Sequence, residues 1–239
     1  YLAYGLSFRS DLDLGDRLLE STSVPSGLKV VARSEPFSSA LLKPVTPGIQ
    51  GHGRQLSILT GGAFAPSTGG QAWCFEVSDV VRFYWSGRSE LVEYEALAGA
   101  NIDLLALWLI LFFLRMWFTL VGKIELINAC DVEMNEKAVL FMAPSMGGKS
   151  TLTDYFIGMG HNLVSDDKVA VIPADEEFLA VPSHPNHRPY RQFEDLGNKV
   201  TRFTGSALPI RTAYFLKHGD PGSRVEVTEI AGHRKFALM

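Results

Sequence analysis

The chain has few cysteines, no strong charge bias and no repeats. Its two cysteines, Cys74 and Cys130, form no CxxC pair. That leaves no framework for disulfides, and with no secretory signal at the N-terminus it points to a reducing cytoplasm. A formal net charge of −4 with no Lys/Arg-rich run argues against nucleic acid as a partner. No internal repeat of fixed period is present, which removes solenoid and propeller architectures. What remains is 239 residues, enough to bury one large core or two small ones.

One hydrophobic run stands out. Leu104 to Val121, LLALWLILFFLRMWFTLV, is long enough to span a bilayer and carries a single charge, Arg115. An arginine well inside a bilayer span costs a few kcal/mol, roughly 2.5–3.5 on insertion scales. The run also leads through Gly122-Lys123 directly into the strand-like Ile124-Glu125-Leu126-Ile127. A helix buried against a sheet or facing a second copy in a homo-oligomer is the more economical reading, with membrane insertion the alternative.

Ahead of this run the pattern is β-rich, with strands expected at Leu2–Arg9, Leu28–Arg33, Ala72–Val77, Val80–Trp85 and Leu91–Tyr94. Ser78-Asp79 reads as a two-residue hairpin turn. Ser34 to Gly70, rich in Gly, Pro and Ser, is expected to be irregular. The plan is an α/β chain in two parts: 1–122, a small N-terminal β-rich lobe plus a hydrophobic connecting helix, and 123–239, a nucleotide-binding lobe. The sequence starts at Tyr1 and stops just after an apparent helix start at Phe236, so trimmed ends are expected.

The strongest chemical signal is Ala138 to Thr151, AVLFMAPSMGGKST. An apolar strand, Val139-Leu140-Phe141-Met142, runs into a glycine loop and then into apolar residues at helical spacing. Gly148-Lys149-Ser150 stands where a phosphate-binding loop carries its G-K-S/T, although the first position of the strict G-x-x-x-x-G-K-S/T pattern is Ala143. In such a loop, backbone N–H groups from Ser145, Met146, Gly147, Gly148, Lys149, Ser150 and Thr151 face one anion at a helix N-terminus. Gly147 and Gly148 allow close backbone approach, and Met146 is expected to crowd it. Lys149 supplies positive charge to terminal phosphates, and Ser150 a hydroxyl for Mg2+. Without that context, a basic turn capping a helix is the competing reading.

The following stretch ends that helix at Gly158-Met159-Gly160, forms a strand at Asn162–Ser165 and places Asp166-Asp167 at its carboxyl end. An Asp-Asp turn is the bland reading. Beside a phosphate loop, one carboxylate can hold Mg2+ while the other takes the proton of an attacking hydroxyl. His161, after the helix-ending glycine, reads as a capping residue.

The segments APSMGGKST and GMGHNLVSDDKVAVI resemble the catalytic domain of HPr kinase/phosphorylase and its relatives, in which a G-x-S-G-x-G-K-S loop precedes G-H-x-L-V-x-D-D. The resemblance extends loosely to Pro182-Ser183-His184-Pro185 and to strands expected around Thr212–Lys217 and Val225–Ile230. The opening Tyr4-Gly5-Leu6-Ser7-Phe8-Arg9-Ser10-Asp11 is similar to the start of the short HPr-kinase-like peptide serine kinases. The resemblance implies an ATP-dependent serine kinase acting on a small protein or peptide. In it Asp166 is the general base, Lys149 neutralises phosphate, and Ser150 with Asp167 holds Mg2+. Ala143 and Met146 replace two family glycines, and Asn128 stands where the family often has a histidine. No segment like E-I-R-G-L-G links kinase to phosphorylase activity, so kinase activity alone is implied. The alternative is a catalytically weakened nucleotide-binding regulatory or assembly protein.

Downstream, Pro182 to Arg191 offers His184 and His187 three residues apart and two arginines. Pro185 and the lack of an obvious third ligand disfavour a metal site. Arg188 and Arg191 carry forks suited to phosphate or an acceptor carboxylate, against the plainer reading of solvated arginines. His218 to Gly222 reads as a hairpin turn.

Overall fold

The computed structural model describes residues 1–21, 27–35, 43–45, 48–51, 53–60, 72–87, 90–189 and 194–233. Among these, the protein is a mixed α/β fold with two large sheets and few helices. The first sheet runs Arg9–Ser10, Lys29–Ala32, Leu91–Ala96, Val81–Trp85, Trp73–Val77, Arg54–Thr60 and Lys43–Pro44, with Ile49–Gly51 also paired to Arg54–Thr60. The second runs Glu125–Ile127, Val169–Ala174, Glu177–Val181, Leu208–Phe215, Lys137–Met142, Ala129–Met134 and Asn162–Ser165.

Between the two sheets in sequence lies the apolar helix, Ile102–Leu120. The Asn101 side chain caps it, accepting the Leu104 N–H at 2.9 Å. A left-handed Gly122 closes it, with the Lys123 N–H on Phe118 O at 2.9 Å and the Gly122 N–H on Thr119 O at 3.0 Å. Every residue from Leu105 to Leu111 is buried, as are Phe113, Leu114, Trp117 and Phe118. One hydrophobic cluster joins this helix to Trp73, Phe75, Phe83 and Val92 of the first sheet and to Ala170 and Val181 of the second. Phe113 stacks on Phe83 at 4.6 Å, a contact that accounts for an aromatic on a helix face that a surface helix would keep polar. The helix has the length and mean hydropathy (1.9) of a membrane span, and 61% of its apolar window is buried inside the protein.

The middle of the helix is not α. Leu109–Phe113 forms a π turn in which the Leu114 N–H reaches back five residues to Leu109 O. The widened turn leaves Ile110 O able to accept the Tyr4 hydroxyl at 2.9 Å. Tyr4 comes from the N-terminal segment, which corrects the expectation of one strand over Leu2–Arg9. The segment folds as a hairpin pairing Leu2–Ala3 with Leu6–Ser7. Its turn residues, Tyr4 (φ 51) and Gly5 (φ 70), are left-handed. Tyr4 and Gly5 donate their backbone N–H groups to Ser183 O (3.2 Å) and Pro182 O (3.0 Å), so the turn docks on the second half of the chain.

Other expectations need correcting. Arg54–Thr60 is a seven-residue strand inside the stretch read as irregular, because Leu56, Ile58 and Thr60 pair with Val77, Phe75 and Trp73. Most of the rest of that stretch, like 234–239, lies outside the described residues. The turn after Trp73–Val77 takes three residues, with Asp79 left-handed (φ 63), so Val80 belongs to the turn. Val225–Ile230 is not a strand: Val225 and Val227 are exposed and make no ladder. His218–Gly222 accordingly closes no hairpin, although Asp220–Ser223 does turn, through a 3.0 Å Ser223 N–H to Asp220 O bond.

A Cβ on Gly5 would lie 2.7 Å from Val181 Cβ, on a residue already at positive φ. Gly5→Ala is expected to destabilise the fold by about 2–4 kcal/mol, the left-handed penalty plus overpacking, as a lowered urea midpoint. A midpoint equal to wild type would show that the hairpin turn is not docked.

Candidate functional site

Strand directions bring the chemistry together. Lys137–Met142 and Asn162–Ser165 both pair antiparallel with Ala129–Met134, so they run the same way and end at one edge of the sheet. The glycine loop leaves one end and Asp166-Asp167 leaves the other, with the start of Ala129–Met134 between them. Residues at the carboxyl ends of neighbouring strands then face a shared crevice.

The loop opens the helix Lys149–Gly158, with Gly148 left-handed (φ 86) at its N-cap. Met146 is also left-handed (φ 63), and its side chain is 96% exposed. Met146 therefore does not crowd the loop: its side chain points out, and the constraint it adds is conformational. Gly147 is sterically required, since a Cβ there would come within 2.6 Å of Ala143 Cβ. Lys149 is buried, its Nζ donating to Ala143 O (2.8 Å) and Pro144 O (3.2 Å) inside the loop. The helix ends where Gly160 (φ 98) and His161 donate their N–H groups back to Ile157 O and Phe156 O, so His161 does take part in capping.

Asp166 is 2% exposed and held from four directions. Its Oδ1 accepts the Ser150 hydroxyl (3.1 Å) and the Cys130 thiol (3.0 Å). Its Oδ2 accepts the Arg188 N–H (2.7 Å) and lies 3.2 Å from His187 Nδ1. Burial alone would push this carboxyl up. The bond and charge of His187, the thiol and the Arg188 amide outweigh burial and hold it well below the usual carboxylate range. The same surroundings push the Cys130 thiol up, burial first and the Asp166 charge second. His187 Nε2 faces Asp154 Oδ1 at 3.6 Å. His184 meets different neighbours: it packs edge-on to Tyr4, and burial drives its pKa down to about 3, so it is neutral. The two histidines therefore serve separate partners.

Asp167 turns the other way. With Asn128, Ser145, Lys149, Lys168, Arg188 and Arg115 it lines a cavity of about 550 Å³, walled by Leu111, Phe112, Met116 and Leu126. Arg115 Nη1 donates to Asp167 Oδ2 at 3.2 Å, and its Nε donates to Tyr4 Oη at 2.7 Å. Burial opposes the guanidinium charge, yet Tyr4 and Asp167 more than offset it. Of the residues singled out in the sequence, Asn128, Ser145, Lys149, Asp167 and Arg188 share this cavity. Ser150 and Asp166 bond to each other and are not among its lining residues. Met146 and Thr151 are exposed and do not line it. Arg191 lies outside the described residues.

Four contributors were not foreseen. Arg115 was visible as the lone charge of an apolar run, but nothing in the run says where it points. Cys130 and His187 gave no signal tying them to Asp166, because that requires the strand order. Tyr4 required the hairpin.

No family model matches this chain, and no curated protein does. Twelve chains of solved structures match. One is an HPr(Ser) kinase/phosphatase from Coxiella burnetii, 18% identical, covering 45% of this chain and 78% of that one, with a TM-score of 0.31. The likeness is distant.

Asp131 supplies a test of the electrostatics around the site. It is fully buried, and neither carboxyl oxygen completes a hydrogen bond among the described residues. Burial holds its pKa well above the usual value, with Ser165 easing this only in part. A folded pKa above the unfolded one means stability is lost as pH rises from about 4. Asp131→Asn is therefore expected to be more stable than wild type at pH 8, with the difference shrinking toward pH 4, in urea unfolding at the two pH values. An equal difference at both would show that Asp131 is not buried as a protonated acid.

Proposed function

We propose that the protein is an ATP-dependent serine kinase of the HPr kinase type, transferring the γ-phosphate to a serine hydroxyl of a small protein or peptide. The observation that carries this reading is the meeting of Ser150 Oγ and Asp166 Oδ1 at 3.1 Å, each one residue along the chain from a residue that lines the cavity, Lys149 and Asp167. A loop hydroxyl beside a strand-end carboxylate is the donor pair that phosphoryl-transfer sites use to hold Mg2+.

The donor set fits the ion. Both groups are hard oxygens, and Ser150 and Asp166 would hold the ion in place of the hydrogen bond they make to each other. Asp166, kept ionised by its neighbours, suits a metal ligand better than a base. Asp167, facing the cavity, suits the base. This reverses the roles that the family resemblance implies for the two acids. When bound, Mg2+ would supply charge neutralisation to the phosphates. Lys149 leaves the Ala143 and Pro144 carbonyls for phosphate oxygen. The acceptor serine oxygen bonds to the γ-phosphorus, the bond to the bridging oxygen breaks with ADP as leaving group, and Asp167 takes the hydroxyl proton.

Calorimetry with ATP tests the reading, beside phosphate incorporation from labelled ATP into a serine-peptide array. Lys149→Ala is expected to lose ATP binding at least tenfold. Asp166→Asn should lose the Mg2+ enhancement of binding while keeping Mg2+-free binding. Asp167→Asn should keep binding and lose incorporation by about two to four orders of magnitude, the usual worth of a general base. A wild type that binds no ATP sinks the proposal. Binding without incorporation into any peptide would favour the regulatory alternative.

A further inference from the structure

The apolar helix delivers one charge into the cavity, and nothing in the transfer scheme above uses it. Arg115 is the single charged residue between Leu104 and Val121, and its side chain is 11% exposed. It could serve only to pin the helix to Asp167. Two observations count against that. A buried ion pair is a poor stabiliser compared with apolar residues of the same volume, and the helix around it is apolar throughout. The pair is also not sealed in the core, because Arg115 and Asp167 both line the cavity that Ser145 and Lys149 open into.

The charge balance of that cavity adds a third. Among its described lining residues, four cations, Arg115, Lys149, Lys168 and Arg188, face one carboxylate, Asp167. Such a surplus suits a polyphosphate. The guanidinium is also held in a way that permits motion at one end. Its Nε is anchored on Tyr4 Oη, itself anchored on Ile110 O, while its Nη end reaches Asp167. A fork of five donors can keep the first contact while exchanging the second.

We propose that Arg115 is the terminal-phosphate sensor of this site: at rest it is paired with Asp167, and it moves to the γ-phosphate of a bound triphosphate. The proposal rests on the nucleotide reading above. A diphosphate, one phosphate shorter, leaves Arg115 on Asp167.

The experiment compares Mg2+ complexes of ADP and of the non-hydrolysable triphosphate AMP-PNP, by calorimetry on the full chain. Arg115→Gln is expected to weaken AMP-PNP at least tenfold and to leave ADP within twofold, with Arg115→Lys between. Asp167→Asn, which removes the resting partner, is expected to tighten AMP-PNP several-fold and leave ADP unchanged. Circular dichroism checks folding, and Arg115→Lys, which keeps the charge, serves if the glutamine variant does not fold. Equal losses for ADP and AMP-PNP, or no change in either Arg115 variant, overturn the sensor. A wild type that binds neither nucleotide overturns the nucleotide reading and the sensor with it, an outcome distinct from a wild type that binds both while the Arg115 variants behave alike.

Discussion

The Tyr4 hydroxyl is the point on which the arrangement turns. It donates to a carbonyl of the π turn and accepts from Arg115, linking the N-terminal hairpin, the apolar helix and the acid at the cavity in one chain of bonds. Burial raises its pKa, so it stays a phenol and can play both parts. Its ring packs edge-on against Phe118 and His184. A hydrogen bond to a buried charge is worth about 1.5–3 kcal/mol, and the alternative here is a guanidinium with its Nε unmet inside a hydrophobic cluster. The π turn answers the same requirement. Each extra residue in a turn rotates the remainder of the helix by about 100°, so the wide turn sets both the free carbonyl and the direction of Arg115.

Two acids show how little distance separates opposite electrostatic outcomes. Asp131 and Asp166 are both buried and lie close enough for the charge of one to act on the other. Asp166 is met by a hydroxyl, a thiol, an amide and an imidazole, and stays ionised. Asp131 has only Ser165 to offset its burial in part, and its pKa is raised. The difference lies in where the strands end: Asp166 sits past a strand terminus, where loops and a helix start can turn donors toward it. Asp131 lies within a strand paired on both sides, with Leu140 and Ser165 across from it.

Local pattern was enough for much of the fold. The strands around Lys29–Ala32, Trp73–Val77, Leu91–Ala96, Lys137–Met142 and Asn162–Ser165 fall where alternation and turn residues put them. The apolar run is the helix that its composition implied. The errors share a cause, since each depends on contacts distant in sequence. The N-terminal segment bends because Pro182 and Ser183 take up its amides. Arg54–Thr60 is straight because Trp73–Val77 pairs with it, whatever the composition of its flanks. Val225–Ile230 has strand-like residues but pairs with no strand among the described residues. In the site, glycine spacing and the paired acids were legible because each is local. Which acid faces Ser150 and which faces Arg115 was not, because that depends on the order of strands in the sheet.

The docking of the hairpin also dictates an order of assembly. Tyr4 meets partners far along the chain, Ile110, Arg115 and, across the ring contact, His184, at sequence separations of 106, 111 and 180. During synthesis the apolar helix emerges while Ala170 and Val181, which close its far side, are still missing. A chain halted before residue 167 displays a greasy helix whose arginine lacks its Asp167 partner. Chains truncated between the helix and the second sheet are therefore expected to aggregate, a consequence of the wiring of the native state.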